Sequence, residues 1–527
     1  MRYKGHRIPT SRNLIVNSAP LFRYALIVCA WGFSISAMAQ TSAFRFTEKP
    51  GPYAAGLKVV EQYDRSRVYR ALTDSLGQPF KGERARPLQT LVWYPAKASS
   101  GKAMTVGDYV DLLATETTFD SPEPAVVKSY ATSLGKSLAE PLWALRDAAP
   151  TTGKFPVVIY APSFSSSAWE NADLCEFLAS YGYVVISSPD MGVVTRTMSS
   201  DVAGINAQAA DISFLIGYAA GLPNTDLSEV AVAGWSWGGI SNLFAAARDN
   251  RIKALVDLDG SVRYFPGLLK KAGDIHPEQM TLPLLFFAQG EITLENQAQN
   301  FVDPDNAGPS ALNAWTHGDL LMVEMLGLSH AEFSSMFQRQ PVWKHFEENK
   351  KGDYGREDGI AGYAWVARYT LNFLDAYLKH DTAAASFLKN TPAANGVPAH
   401  LMTAHFRAAK GTPANLDSFR AELGRQGFDH AAGAYAAMKK AQPDFSLGED
   451  LLNTWGFDLM THGHLQQSIE IFKLTVQEYP HSSAAFENLG QAYALAKQKS
   501  LATQALNTAL TLDPANTEAS DQLKKLQ

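Results

Sequence analysis

Apolar residues in this chain come mainly in short runs, separated by longer stretches of helical periodicity. The runs Leu57 to Tyr69 and Arg86 to Pro95 predict two strands that open a sheet. Residues 101–150 are of mixed helical character and end in Asp147-Ala-Ala-Pro150, so they are expected to leave the sheet as a side excursion. A strand then follows at Phe155 to Ala161, a helix at Asn171 to Tyr181, a strand at Tyr183 to Ser187 and a helix at Asn206 to Ala220. Val230 to Ala233 are small or β-branched, the composition of a strand covered on both faces. Three more apolar runs, Ala254 to Asp259, Leu284 to Ala288 and Leu320 to Leu326, precede a helix over Ala364 to Leu378. Strands alternating with helices predict an α/β fold: a mainly parallel sheet flanked by helices, with right-handed connections and ligands bound beyond the carboxyl ends of the strands. This unit is expected to span 53–390, with 391–448 as a helical linker.

From residue 449 the pattern repeats. Trp455-Gly456, Leu459, Ser468, Phe472 and Pro480 return 34 positions later as Leu489-Gly490, Tyr493, Ala502, Leu506 and Pro514. That period predicts two repeats of paired antiparallel helices over 449–527, which bury little by themselves and need the preceding helices, the first unit or a partner to pack on.

The N-terminus has a different pattern. Arg2, Lys4, Arg7, Arg12 and Arg23 precede the apolar run Ala25 to Ile35, which leads to Ala37-Met38-Ala39. A charged start, an apolar run and a small-x-small cleavage site predict a signal peptide over 1–39, a leader over 40–52 and an exported protein, periplasmic or secreted. The run is too short for a preferred membrane span, and no other stretch reaches that length. Removing 1–39 takes five of the 46 basic residues and none of the 52 acidic ones, leaving a net charge of about −11. That balance argues against nucleic acid and anionic membrane as partners. Of the two cysteines, Cys29 falls in the signal peptide and Cys175 sits among Leu174, Phe177 and Leu178, so a buried helical thiol is expected and an intrachain disulfide is not.

The chemistry concentrates where strand 230–233 meets an alanine-rich helix through Gly234-Trp235-Ser236-Trp237-Gly238. A G-x-S-x-G placed between strand and helix is a nucleophile elbow, a strained turn that lifts a serine Oγ above the sheet edge. Glycines flank it because a Cβ there would collide with the neighbouring strand or helix. A serine hydroxyl needs a base and an acid that orients the base. Of the twelve histidines only His330, on the loop after the last apolar run, has the address for the base. His317 precedes that run and reads as a loop or substrate-contact residue, while His462 and His464 fall in the turn of the first repeat as solvated polar groups. Without further ligands nearby, no metal site is indicated. Three carboxylates compete for the acid: Asp259 at one strand end, Asp257 on the same face but deeper, and Glu291 at the next strand end. The oxyanion donors are expected to be the N–H of Trp237 and, from the loop after Ala161, that of Phe164. Trp235, Trp237 and Phe164 would form an aromatic rim, with Trp235 and Ser163 as substrate contacts.

Together these residues resemble the α/β-hydrolase superfamily. Phe155-Pro-Val-Val-Ile-Tyr160 with Leu178-Ala-Ser-Tyr-Gly-Tyr-Val-Val185, and Leu258-Asp259 with Tyr264-Phe-Pro266, are similar to platelet-activating-factor acetylhydrolase and dienelactone-hydrolase-like esterases. That resemblance implies Asp259 rather than Glu291 as the acid, no cofactor, and a small-molecule or lipid-like ester as substrate. The elbow is also similar to that of bacterial cutinase-like polyester hydrolases, whose acid lies one strand later, where Ile292 stands just beyond Glu291. Pro162-Ser163 replaces the His-Gly pair that opens the oxyanion loop in the first group. The C-terminal part resembles tetratricopeptide repeats, which implies a protein partner. The expectation is an exported serine hydrolase acting on carboxylic esters through an acyl-enzyme, with the segment Thr293 to Gly318 contributing to a lid. The alternatives are a scaffold whose repeats bind a partner and whose first unit is inactive or weakly active, and a serine peptidase on the same three residues.

Overall fold

The computed structural model describes residues 44–526 apart from 75, 99–100, 120–121, 291–303, 341–353 and 444. The expected signal peptide, Glu291 and the first part of the expected lid therefore lie outside the described residues. The chain divides into two compact units at 410/411.

The first unit is built on one sheet with eleven strands among the described residues. They are β1 Ala54–Val68, β2 Ala85–Ala96, β3 Ala103–Thr105, β4 Pro141–Arg146, β5 Phe155–Ala161, β6 Val184–Ser187, β7 Thr225–Trp235, β8 Ile252–Leu258, β9 Leu284–Gln289, β10 Leu320–Met325 and β11 Met402–Arg407. Their spatial order is β11-β10-β9-β8-β7-β5-β6-β2-β1-β4-β3. The run from β6 to β10 is parallel throughout, β2 joins β6 antiparallel, and β1 joins β2 antiparallel, which is the α/β-hydrolase arrangement.

Alternate strand residues enter two cores, one on each face. Val158 and Tyr160 of β5, with Ala231 and Ala233 of β7, face the helices Ala172–Ser180 and Arg356–Leu378. Val157, Ile159, Val230 and Val232 face the helices Val202–Ala219 and Trp237–Ala246. Helices on both sides remove water from both faces, which is why these strands are apolar without alternation. Asp201 starts the helix Val202–Ala219 by accepting from the Gly204 N–H at 2.9 Å.

Two parts differ from the expected outline. The excursion 101–150 does not stay off the sheet: β4 pairs parallel with β1 and β3 pairs antiparallel with β4, the two strands being separated by short helices at Val106–Val110 and Pro124–Leu134. The expected linker 391–448 is divided between the units. β11 runs antiparallel to β10 from Leu320↔Arg407 to Met325↔Met402 and carries the sheet past residue 390. Beyond 410, the helices Leu416–Gln426 and Ala431–Ala441 supply Phe419, Leu423 and Tyr435 to a core completed by Leu452, Trp455 and Ile471. The first helical repeat therefore packs on the helices before it.

The second unit is all helical. Its remaining helices are Glu449–Thr461, Leu465–Glu478, Ser483–Leu495, Lys499–Leu512 and Thr517–Leu526. The 34-residue repetition has a steric counterpart: a Cβ on Gly456 would meet the Phe472 ring at 2.4 Å, and one on Gly490 would meet Leu506 Cγ at 2.7 Å. The same close approach of paired helices thus occurs twice.

Candidate active site

Ser236 sits between β7 and the helix Trp237–Ala246 with φ 56° and ψ −116°, a conformation that an L-residue holds only when its surroundings over-determine it. Here they do. The Ser236 N–H donates to Leu258 O at 3.1 Å, and its carbonyl accepts from Ser261 N at 2.6 Å and Gly239 N at 3.1 Å. The glycines make the turn possible: a Cβ on Gly238 would lie 2.1 Å from Ala161 O, and one on Gly234 would lie 2.9 Å from the same oxygen. Trp237 is the first residue of the helix, so its N–H has no intrahelical acceptor.

Because β7, β8, β9 and β10 are parallel, the loops that follow them meet on one edge, and the side chains converge there. His330 Nε2 lies 2.8 Å from Ser236 Oγ, and His330 Nδ1 lies 2.5 Å from Asp259 Oδ2. Asp259 is 0% exposed and His330 31% exposed at the side chain, so the relay has a dry end and an open end. Asp259 has φ 46°, and its other oxygen accepts from Tyr264 OH at 2.7 Å and Gln289 N–H at 3.2 Å. The His330 backbone is held at both ends: its N–H donates to Gln289 Oε1 at 3.0 Å, and its carbonyl accepts from Trp235 Nε1 at 3.0 Å. A reciprocal cap between Ser329 and Glu332 fixes the turn that carries it.

The other residues singled out from the sequence are placed as follows. Asp257 is buried against Gly239 and Gly260, where desolvation pushes its carboxyl well above the usual range, and its Oδ1 is within 3.5 Å of Asn242 Nδ2 rather than at the imidazole. Phe164 packs edge-on to Trp237 at 5.5 Å, and Trp237 lies 6.0 Å from Phe265, so an aromatic wall stands on one side of the elbow. Trp235 belongs to the opposite core, where its ring lies 5.3 Å from that of His330 and 5.1 Å from that of Phe337. It supports the histidine rather than lining a rim. Ser163 turns toward Glu170, donating its N–H to Oε1 at 2.8 Å and its hydroxyl to Oε2 at 2.7 Å. His317 precedes β10, beside Trp315, whose Nε1 donates to Leu282 O at 3.0 Å; this is the amino-terminal edge of the sheet, opposite Ser236. The described part of the expected lid is anchored there too, with Leu312 and Trp315 in the core. Cys175 is buried in its helix, and burial pushes its thiol up. Among the described residues, no group of three or more His, Cys, Asp or Glu could hold a metal ion, and no helix is long and apolar enough to cross a membrane.

Several supporting residues were not anticipated. Tyr264 and Gln289 hold Asp259 and His330 from adjacent loops, and Glu170 holds the loop after β5. Burial pushes Glu170 up to about 7, opposed by hydrogen bonds from Ser166, Ser163 and Tyr160. Nothing local in Trp169-Glu170-Asn171 marks the acid, because every partner that defines it lies elsewhere in the chain. Gln289 carried a faint signal as the last residue of a strand that ends at the ligand-binding edge.

Chemically, this arrangement can pass a hydroxyl proton to an imidazole whose other nitrogen is fixed by a buried carboxylate, next to a helix start that favours negative charge. No family model matches the chain, and no curated protein matches it. Among solved structures it is similar to a ferulic acid esterase from Streptomyces cinnamoneus, at 20% identity and a TM-score of 0.49, over 68% of this chain and 98% of that one.

Proposed function

We propose that this protein is a serine hydrolase that cleaves carboxylic esters through an acyl-enzyme. The observation that carries the reading is the continuous relay Asp259–His330–Ser236, with spacings of 2.5 and 2.8 Å, on a strained elbow at the sheet edge. Ser236 Oγ attacks the ester carbonyl as His330 Nε2 takes its proton, while Asp259 fixes the tautomer and stabilises the imidazolium. The carbonyl oxygen becomes an oxyanion held by the N–H groups of Trp237 and Phe164. His330 returns the proton to the departing alcohol, then deprotonates a water that releases the acid and regenerates the serine. No cofactor enters these steps. The substrate is a small-molecule or lipid-like ester, in keeping with the resemblance to platelet-activating-factor acetylhydrolase and dienelactone-hydrolase-like esterases.

A fluorophosphonate probe tests this directly. Labelling of the wild type and its loss in Ser236→Ala are expected; a folded wild type that takes no label contradicts the reading and favours an inactive unit carried by a helical scaffold. Assays across p-nitrophenyl esters of increasing acyl length then define the acyl group.

Two further readings belong to the same proposal. The chain is exported after removal of 1–39, supported by the charged start, the apolar run and Ala37-Met-Ala39. N-terminal sequencing of the processed protein should begin at Gln40. The C-terminal helices are tetratricopeptide-type repeats that engage a protein partner, supported by the 34-residue recurrence and the matched close approaches at Gly456 and Gly490.

A further inference from the structure

Two loops must be in register for the proposed chemistry: the one after β5, which offers Phe164, and the one after β10, which offers His330. They are far apart in sequence, and one buried residue touches both. The Glu170 side chain takes the Ser163 N–H at 2.8 Å, the Ser163 hydroxyl at 2.7 Å and the Tyr160 hydroxyl at 2.9 Å. Its backbone carbonyl accepts from Ser334 Oγ at 2.6 Å and Met336 N at 3.2 Å, four and six residues beyond His330. Asn171 repeats the connection, donating to Tyr160 OH at 2.6 Å and Phe333 O at 2.9 Å and accepting from Ser335 N at 2.9 Å.

From this bridge we infer that Glu170 is a positioning residue: it sets the oxyanion loop against the histidine loop and so fixes where the Phe164 N–H points relative to Ser236. The Ser163 N–H adjoins that donor in the chain. The peptide carrying the Phe164 N–H is also held through its Ser163 carbonyl, which accepts from Ser166 N at 2.9 Å. If Ser163 lost its Glu170 acceptor, that peptide would keep one anchor in place of two and tilt, and the oxyanion would lose the alignment of one of its two donors. Loss of a donor acts on the transition state, so the cost falls on kcat and leaves KM nearly unchanged. Gln can take the place of Glu: its amide oxygen accepts from Ser163 N–H and Tyr160, and its amide nitrogen donates to Ser163 Oγ. Leu fills similar space and offers no acceptor.

The inference rests on the esterase reading, and the test separates the two. Full-length wild type, Glu170→Gln, Glu170→Leu and Ser163→Ala are compared by fluorophosphonate labelling rate, by kcat and KM on p-nitrophenyl acetate, and by thermal unfolding. An unlabelled wild type defeats the esterase reading. With a labelled wild type, Glu170→Leu is expected to lose roughly 30-fold or more in kcat and labelling rate, given that removing an oxyanion donor costs about 10²–10³. KM should stay within about threefold, and Glu170→Gln should restore most of the rate. Ser163→Ala, which loses one hydrogen bond, should lose roughly fivefold in kcat and add nothing to a folded Glu170→Leu protein. A folded Glu170→Leu enzyme with wild-type kcat, a loss confined to KM, or a Gln variant as slow as Leu overturns the inference. Should Glu170→Leu fail to fold, Ser163→Ala decides: unchanged kcat overturns the inference and reduced kcat at constant KM upholds it.

Discussion

The backbone of Ser236 is held against its own preference, and so is that of Asp259, with φ 56° and 46°. Strain at both positions is stabilised by hydrogen bonds from neighbouring strand ends, and its effect is to aim two side chains at one imidazole. At this scale reach favours Asp259 over Asp257 as the proposed acid. Asp259 Oδ2 meets His330 Nδ1 at 2.5 Å, whereas Asp257 is turned beneath Gly260. Replacing Asp259 by Asn should lower kcat by about 10³–10⁴-fold, the cost of a wrongly held tautomer, while Glu291→Gln should stay within about threefold of wild type. Steady-state kinetics on one ester checks both. Equal losses, or the larger loss at Glu291, contradict the assignment. Sequence alone pointed to Ser236 and His330 by motif and loop address. Strand-end position left three carboxylates in competition, because it does not say where a side chain points, and the family resemblance was what singled out Asp259 over Glu291. The roles of Tyr264 and Gln289 were not legible for a related reason: Tyr264 lay in the quoted acid-loop motif and Gln289 at a strand end, yet what each does is set by partners elsewhere in the chain.

Glu170 also makes a pH prediction. At about 7 in the folded protein it lies above the ~4.3 of a free glutamate. Between those values the native state holds a proton that the unfolded chain has released, so this group's contribution to stability falls as pH rises through that window. Gln cannot ionise. The stability of Glu170→Gln relative to wild type should therefore improve by up to about 3 kcal/mol between pH 5 and pH 8, measured by urea unfolding. A difference that does not change with pH contradicts this.

Among the elements, the glycines separate tight packing from open surface. A Cβ on Gly456 or Gly490 has no room against Phe472 or Leu506, whereas one on Gly217, in the helix Val202–Ala219, meets nothing within 4 Å. Gly456→Ala and Gly490→Ala should each destabilise by about 1–3 kcal/mol, and Gly217→Ala should stabilise by about 0.5–1 kcal/mol. Thermal unfolding distinguishes the cases, and equal effects at all three would contradict the packing. Elements were legible where burial on both faces left no polar alternation, as in Phe155 to Ala161 and Leu284 to Ala288. β11 was not, because Met402-Thr-Ala-His-Phe-Arg407 is an edge strand with one fully buried residue and no apolar run. β4 does alternate, with Leu142 and Ala144 buried, but six residues among helical neighbours gave the period too little length.

Over the whole molecule, each unit has its own cores, and the boundary at 410/411 separates them. Residues 44–410 expressed alone should hydrolyse p-nitrophenyl esters with kcat within about threefold of the full chain, since every residue of the relay lies within them and domains carry their own cores. A folded fragment without activity would assign the second unit a part in catalysis. The large-scale order was the most legible feature of the sequence, because alternation of strand and helix constrains topology strongly. The boundary was less so, since β11 and the helices after it share one Pro- and Gly-punctuated stretch.

The central claim is that Ser236 becomes covalently acylated, and rapid-quench mass spectrometry with p-nitrophenyl acetate measures it most directly. A burst of p-nitrophenol stoichiometric with enzyme, an acetyl group on the peptide that contains Ser236, and neither in Ser236→Ala are the expected results. Turnover by the wild type with the acetyl group on another residue, or persistence of the burst in Ser236→Ala, would contradict it.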